Sequence, residues 1–354
     1  MSALTKTASR NQSMEVCKLI ASVFVILIHV PLPGKLGSLM ACVGRFAVPV
    51  FFAISGYFSY NVGWKKLNRR LVHIVLLNIA AIGVCLLWGC IHAYSQGENI
   101  WLYLLAKLDP KAGDLAVWFV LQVNPFSGHL WYLTAIFLCY GALWLYVRFF
   151  GEEAVNYTPL YIFSLGLITF HIALGEMTIA TGTRVSHELV RNFVFFGLPM
   201  FSLGIFLRQY QEQILTNFNL NGWKLAGLTA LGALLSVLQW YGMGSGELPI
   251  GMLLLVPALM LWMASHPTLT GNAFLGRTIN LFGGVSTWVY ITHLVVYDAY
   301  NTYLGWRFDW LSVPKQELLA TAFVTAVTLI GCFMGQIWGN WVRFFLKPNR
   351  RAGS

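Results

Sequence analysis

Charge is what this sequence lacks. Of its 354 residues only 10% are charged, against roughly 25% in an ordinary soluble domain. Most of the chain therefore does not meet water. Acidic groups are the scarcest, 13 against 23 Lys and Arg, leaving a net charge of +10. That excess does not gather into one basic patch. It recurs between apolar segments, which excludes a nucleic-acid binder and reads as a set of topology signals. Cysteine is present but unpatterned. Cys17, Cys42, Cys85, Cys90, Cys139 and Cys332 contain no CxxC pair and fall mostly in apolar runs. They read as small buried hydrophobes and not as zinc ligands or a disulfide framework. The first apolar run, Leu19 to Ile28, is followed by no small-residue cleavage site, so it is not expected to be a removable signal peptide. Repeats, low-complexity tracts and stretches of soluble-domain composition are missing too. Residues 1–354 are expected to form a single membrane-embedded domain.

What is there is apolar and aromatic. Hydrophobic residues make up 57%, with 14 Trp, 15 Tyr and 25 Phe, enough to furnish aromatic belts at two membrane interfaces. A spanning helix needs about 20 mainly apolar residues. Candidates fall at 16–33, 39–60, 71–94, 129–149, 158–178, 190–208, 223–241, 248–265, 280–300 and 316–345. The joints carry turn chemistry, as in Pro31-Leu32-Pro33-Gly34 and Gly242-Met243-Gly244-Ser245-Gly246. With the N-terminus placed in the cytoplasm, the inner loops hold 14 Lys and Arg, among them Lys65, Lys66, Arg69, Arg70, Arg148 and Arg208. The outer loops and Arg45 hold 8. The expected class is thus an all-α integral membrane protein, a polytopic bundle of about ten transmembrane helices with both termini cytoplasmic. The longest connection, 95–128, is expected outside, with the apolar stretch Leu115–Val123 as a helix lying on the membrane surface.

Ionisable groups inside a span are expensive to bury and become functional candidates. The first span has three: Glu15, Lys18 and His29. At 100° per residue, Lys18, Ser22 and His29 lie within about 60° of Glu15, so all four share one face. Lys18 and His29 are then in line, roughly 16 Å apart. The bland alternative is a snorkelling Glu15 and Lys18 with one hydrogen-bonded histidine. The second span opens with Arg45 and carries Ser55-Gly56-Tyr57. Arg45 is either an interface anchor or a partner for an anionic or oxygen-rich ligand. In the ninth span Ser286, Tyr290, His293, Tyr297 and Tyr300 fall within about 40° of one line. His129 and Trp131 open the fourth. His29, His129, His293 and Arg45 are expected at similar depth. The histidines have no i, i+3 or i, i+4 pair and no carboxylate companion, so no metal is expected. His73 and His171 read as lone, satisfied histidines. Arg184, His187, Glu188 and Arg191 read as a solvated outer cluster that could meet an acceptor. Gly331, Gly335 and Gly339, four apart in the last span, are expected to pack against a neighbouring helix.

These motifs together resemble the membrane acyltransferase-3 family. Glu15 stands at that family's acidic position and His29 at its histidine, while Lys18 occupies the place of its usual Arg. Arg45 with Ala47-Val48-Pro49-Val50-Phe51-Phe52 and Ser55-Gly56-Tyr57-Phe58 is similar to its second helix. His129-Leu130-Trp131-Tyr132-Leu133 resembles its His-Leu-Trp motif, and Asn192-Phe193 through Leu203-Gly204 fits as well. Tyr290-Ile291-Thr292-His293 resembles its Tyr-Leu-x-His near the end. Any one motif is weakly specific; five in order, over nearly the whole chain, are much stronger.

The resemblance implies an O-acetyltransferase-like enzyme. An acyl-CoA donor (acetyl-CoA) would supply the group, and the acceptor would be the hydroxyl of a cell-surface glycan or lipid-linked saccharide. Its place would be the plasma (inner) membrane of a bacterium. His29 is assigned as general base, with Glu15 and Lys18 ordering the donor path. Arg45, Ser55, His129, Trp131, Tyr290 and His293 would bind the acceptor or stabilise charge. Lys65, Lys66, Arg69 and Arg70 would meet the donor's phosphates at the inner mouth, or else serve as ordinary topology and lipid contacts. The rival reading is a transporter or delivery module for a small polar molecule, like the membrane module of the serine racemases of vancomycin resistance. It needs the same lined cavity without covalent turnover, but the sequence has no clear inverted repeat.

Overall fold

In the computed structural model the described residues are 10–109, 112–151, 155–183, 185–244 and 246–346, with side chains described except at 112–115 and 343–346. They are helical, with no strand among them. In chain order the helices are α1 (Gln12–His29), α2 (Gly34–Gly44), α3 (Ala47–Tyr57), α4 (Trp64–Ser95), α5 (Ile100–Leu108), α6 (Ala112–Leu121), α7 (Trp131–Phe150) and α8 (Thr158–His171). There follow α9 (Met177–Ala180), α10 (His187–Val190), α11 (Leu198–Asn217), α12 (Gly222–Met243), α13 (Met252–Ser265), α14 (Ala273–Ile279), α15 (Phe282–Tyr303) and α16 (Val313–Leu346). Two π-helical turns, Ile172–Glu176 and Phe193–Gly197, lead into α9 and α11.

Each expected span has a helical counterpart. Nine helical spans among the described residues are long and apolar enough to cross a bilayer. The tenth, α13, has 14 residues and reaches only about 21 Å at 1.5 Å per residue, short of a hydrocarbon core of about 30 Å. The sequence expectation began this segment at 248. The structure spends residues 246–251 on a loop instead. The surface stretch expected at Leu115–Val123 appears as α6, and α5 precedes it.

Prolines explain two interruptions. Pro49 has no N–H for the carbonyl of Arg45, and its ring crowds that carbonyl. Helix α2 therefore ends at Gly44, Arg45 and Phe46 form a turn, and α3 begins at Ala47. The amides of Arg45 and Phe46 reach back only three residues, to Cys42 and Val43 (both 3.2 Å). Pro199 likewise gives no N–H to Phe195, and a π-turn lies immediately before it. The Asn192 side chain caps that turn through the amides of Val194 and Phe195 (2.9 and 3.0 Å).

The chain forms two compact units, Met1–Met40 with His266–Ser354, and Ala41–Ser265. In the first, α1, α15 and α16 bury Ile26, Val30, Val285, Val289, Tyr300, Ala320 and Val324 together. Asn11 caps α1 by accepting from the Met14 amide at 3.0 Å. Gln12 then ties the helix start to the 266–272 segment, accepting from the amides of Leu269 (2.8 Å) and Thr270 (3.0 Å). At the other end the one O–H of Thr321 in α16 lies within donating distance of the carbonyls of Val30 (3.1 Å), Pro31 (2.9 Å) and, in its own helix, Glu317 (2.9 Å). Helix ends leave carbonyls without intrahelical partners, and this hydroxyl supplies one.

In the second unit α3 and α11 touch backbone to backbone. A Cβ on Gly56 would collide with the Phe201 carbonyl, and one on Gly204 with the Ala53 carbonyl. Helices α12 and α13 do the same through Gly232, where a Cβ would stand 2.6 Å from the Leu255 nitrogen. The glycine stripe singled out in the sequence behaves otherwise. Gly331, Gly335 and Gly339 have nothing within 4 Å of an added Cβ. The expectation that they pack a neighbouring helix is corrected among the described residues. Spacing alone marks a small-residue face; which glycines are used depends on where the partner helix runs.

Candidate functional site

The first unit carries the helix face read from the sequence. Glu15 Oε1 pairs with Lys18 Nζ at 2.9 Å. The Glu15 carboxylate lies against the bare backbone of Gly283, where any Cβ would collide with it. Its other oxygen, Oε2, is buried without a hydrogen-bond partner. Lys18 keeps its side chain 22% exposed, so the pair straddles the edge of the core. Ser22 is fully buried and donates to the Leu19 carbonyl at 2.8 Å.

Fourteen residues after Glu15, the same face meets α15 again. The His29 and His293 rings lie 5.2 Å apart, tilted by 40°. His29 is the last residue of α1 and is exposed. His293 is fully buried. Its Nδ1 lies 2.9 Å from the Tyr290 carbonyl and 3.1 Å from that of Val289. Carbonyl oxygens only accept, so Nδ1 carries the proton and Nε2 keeps the lone pair in the neutral ring. The Tyr290 ring stands 6.4 Å from that of His293. Ser286, Tyr290, His293 and Tyr300 are all buried, so the expected stripe does point inward, and the structure brings His29 and His293 together.

Arg45, His129 and Trp131 belong to the second unit. Arg45, turned out where Pro49 breaks the helix, pairs with Glu247 Oε2 at 2.8 Å. Arg191 reaches the same oxygen at 3.9 Å, with its guanidinium 5.4 Å above the Trp131 ring. Burial acts to raise the Glu247 carboxyl, but Arg45, Arg191 and His187 outweigh it and hold the group below the usual carboxylate range. Trp131 meets Phe196 edge-on at 5.7 Å, and His171 meets Phe196 at 5.5 Å. His129 Nδ1 lies 2.7 Å from the Ser127 hydroxyl. Ser55 donates to the Phe51 carbonyl of its own helix at 2.9 Å, and its neighbour Gly56 is a packing glycine.

The solvated outer cluster of the sequence reading divides. Arg184 lies outside the described residues. His187 and Glu188 pair with each other at 3.0 Å, while Arg191 turns to Glu247. His171, expected to be satisfied, is half so: Nδ1 meets the Val190 carbonyl at 3.1 Å, and the buried Nε2 has no partner.

Three residues here were missed from the sequence: Glu247, Glu176 and Gln239. Glu176 lies within an apolar span and is 1% exposed. The rule that exposed Glu15 and Lys18 as candidates, that charge inside a span needs a reason, would have found it. Glu247 is a loop residue whose partner stands 202 positions away, and no local pattern signals such a contact.

A third feature is a cavity of about 360 Å³ lined by Lys66, Arg69, Arg70, His73, Ile74 and Tyr140. Arg70 is already engaged, donating to Ser59 Oγ (2.7 Å) and the Phe58 carbonyl (2.8 Å). Lys66 and Arg69 are exposed at its wall. Lys65 is not part of the lining; its ammonium stands 5.6 Å over the Trp64 ring. Among the described residues no group of three His, Cys, Asp or Glu could hold a metal ion.

A family model described as an acyltransferase domain, of the acyltransferase-3 type, matches residues 11–336. No curated protein and no solved structure matches the chain significantly.

Proposed function

Because the chain belongs to the acyltransferase-3 family, we propose that it moves an acetyl group from acetyl-CoA to a hydroxyl of a cell-surface glycan or lipid-linked saccharide. It would work from a bacterial plasma membrane, as one 1–354 domain with both termini in the cytoplasm. The observation that carries this reading is the His29–His293 pair, 5.2 Å between rings. An alcohol is a poor nucleophile until a base takes its proton, and a neutral imidazole with an ordinary pKa near 6.5 suits that task at neutral pH.

His29 accepts the acceptor's hydroxyl proton as that oxygen attacks the thioester carbonyl. The C–O bond forms, the C–S bond breaks, and the proton passes from His29 to the departing thiolate. His293, with Nδ1–H held by the Tyr290 carbonyl, offers a lone-pair nitrogen suited to stabilising the His29 imidazolium. Tyr290 lines the same place. Glu15 and Lys18 order the donor path, one face of α1 serving both them and His29.

Arg45 recognises the oxygen-rich acceptor, aided by Trp131, His129 and, more weakly, Ser55. Guanidinium groups match planar oxygen pairs, and indole offers a flat apolar surface. The cavity at Lys66, Arg69 and Arg70 supports donor binding, since coenzyme A carries phosphates and these side chains are cationic. Lys65 adds long-range attraction beside it.

The test is radiolabelled acetyl transfer from acetyl-CoA into membrane glycan by the purified protein. His29→Ala should lose about 10²–10⁴-fold in rate, the usual size for a general base, while accumulating normally in the membrane. Undiminished transfer by His29→Ala would end the proposed mechanism. An unmodified protein that neither binds acetyl-CoA nor labels glycan would instead be a delivery module.

A further inference from the structure

The Gly246–Ile250 loop is held by one buried carboxylate. Glu176, at the end of a π-turn, is 1% exposed. Its Oε2 accepts from Gln239 Nε2 (2.7 Å) and from the Gly246 amide (3.0 Å). Its Oε1 accepts from the Leu248 amide (2.8 Å). Gln239 in turn accepts from the Ile250 amide through Oε1 at 2.7 Å. The two amides bound by Glu176 are those on either side of Glu247, the residue whose carboxylate meets Arg45 at 2.8 Å.

Gly246 makes the grip possible. A Cβ there would stand 2.6 Å from Glu176 Oε1 and 3.0 Å from the Gly175 carbonyl. Gly244, with φ +85°, closes the end of α12 and turns the chain into the loop. A carboxylate inside an apolar span is expensive. The fold spends this one on fixing three consecutive residues of a loop whose middle side chain faces two arginines.

We propose that Glu176 is a positioning residue for the acceptor site: by gripping the amides on both sides of Glu247, it fixes the counter-charge that aims Arg45. This rests on the reading of Arg45 as the acceptor-binding arginine. The chain of action is Glu176 to the loop backbone, the loop to Glu247, and Glu247 to Arg45. An arginine side chain has several rotatable bonds, and a fixed carboxylate removes most of that freedom before a ligand arrives. Arg191, 3.9 Å from the same oxygen and braced on Trp131, is oriented by the same loop. Glu176 itself touches no substrate.

The experiment is a double-mutant cycle on the full-length protein in lipid nanodiscs. The donor is radiolabelled acetyl-CoA. The acceptor is the lipid-linked saccharide fraction extracted from the expressing cells, titrated by hexose content. Glu176→Gln keeps shape but turns an NH₂ toward amides that need an acceptor. It should raise the half-saturating acceptor concentration about tenfold, as should Glu247→Gln, and the double variant should match either single, because coupled residues are non-additive. Donor KM should stay within about twofold, since uniform loss of one substrate's binding leaves the other untouched. Multiplying effects, or a donor KM that moves in step, would show Glu176 to be a structural buttress only and overturn the inference. Arg45→Lys in the same assay separates the two ideas. If it raises acceptor half-saturation while folded Glu176→Gln does not, the positioning role falls and the reading of Arg45 stands. If Arg45→Lys changes nothing, that reading fails and the positioning role with it. Should Glu176→Gln fail to fold, Gln239→Leu removes both the hydrogen bond that holds Glu176 Oε2 and the Ile250 link, loosens the grip on the loop, and must show the same acceptor-only change.

Discussion

Glu15 and Gly283 fit together because the glycine has no side chain. The buried carboxylate of α1 occupies the space that any Cβ on α15 would need, while its Oε1 holds Lys18 at 2.9 Å. An ion pair half inside an apolar core is kept in place by an absence on the facing helix.

Gly283→Ala should therefore destabilise the protein by about 1–3 kcal/mol, the usual range for overpacking. Thermal unfolding in detergent would measure it. Glu15→Ala in the same background should recover part of the loss, because the colliding carboxylate is then gone. An unchanged melting temperature in Gly283→Ala would mean that Glu15 has another place to go.

Lys18 tests the donor path separately. Lys18→Arg keeps the charge and should retain much of the acetyl transfer. Lys18→Met should fail, since it leaves Glu15 uncompensated. Breaking a buried pair costs roughly 3–5 kcal/mol, less here because Lys18 is partly exposed. Glu15→Gln combined with Lys18→Met should recover folding without turnover. Parental binding of acetyl-CoA and parental turnover by Lys18→Met would reduce Lys18 to a snorkelling anchor.

The Arg45–Glu247 pair gives a pH signature. The Glu247 carboxyl is held below the usual carboxylate range, so the folded state favours its charged form. Its contribution is present above the unfolded value, about 4.3, and is lost as pH falls through the depressed folded value. Glu247→Gln should cost about 1–3 kcal/mol at pH 7, less than for a fully buried pair because the Arg45 side chain is 29% exposed. The gap to the parent should hold down to about pH 5 and close only in stronger acid. A gap that closes between pH 8 and 6 would assign the effect to a histidine.

Two glycines should behave oppositely. Gly335→Ala meets nothing within 4 Å and should leave the melting temperature unchanged or slightly higher, since glycine costs about 0.5–1 kcal/mol in a helix interior. Gly204→Ala drives a methyl into the backbone of α3 and should sharply lower it. Marked destabilisation by Gly335→Ala would restore the packing role that the sequence suggested.

Topology remains a sequence-based expectation with a direct test. Reporter fusions after about residues 66, 150, 212 and 350 should read cytoplasmic, and those near 110, 182 and 308 external, as the Lys and Arg asymmetry dictates. Reversal at two or more sites would overturn the orientation.

What the sequence determined by itself was the class and the local geometry. Low charge and long apolar runs force helices, because backbone groups in lipid have no other partner. A 100° step places Glu15, Lys18, Ser22 and His29 on one face whatever that face meets. Pro49 frees Arg45 from its helix through a missing N–H, which is equally local. Tertiary structure decided which faces meet. His29 finds His293, Glu247 finds Arg45 across 202 positions, and Gly204, not Gly335, receives a neighbouring backbone. Such contacts depend on where two helices cross, which is set by the summed fit of many side chains and by loops such as Gly246–Ile250. Periodicity within one helix carries no information about that crossing, so Glu176 stands out in the sequence as a charge inside a span, but the loop it holds became legible only in the folded chain.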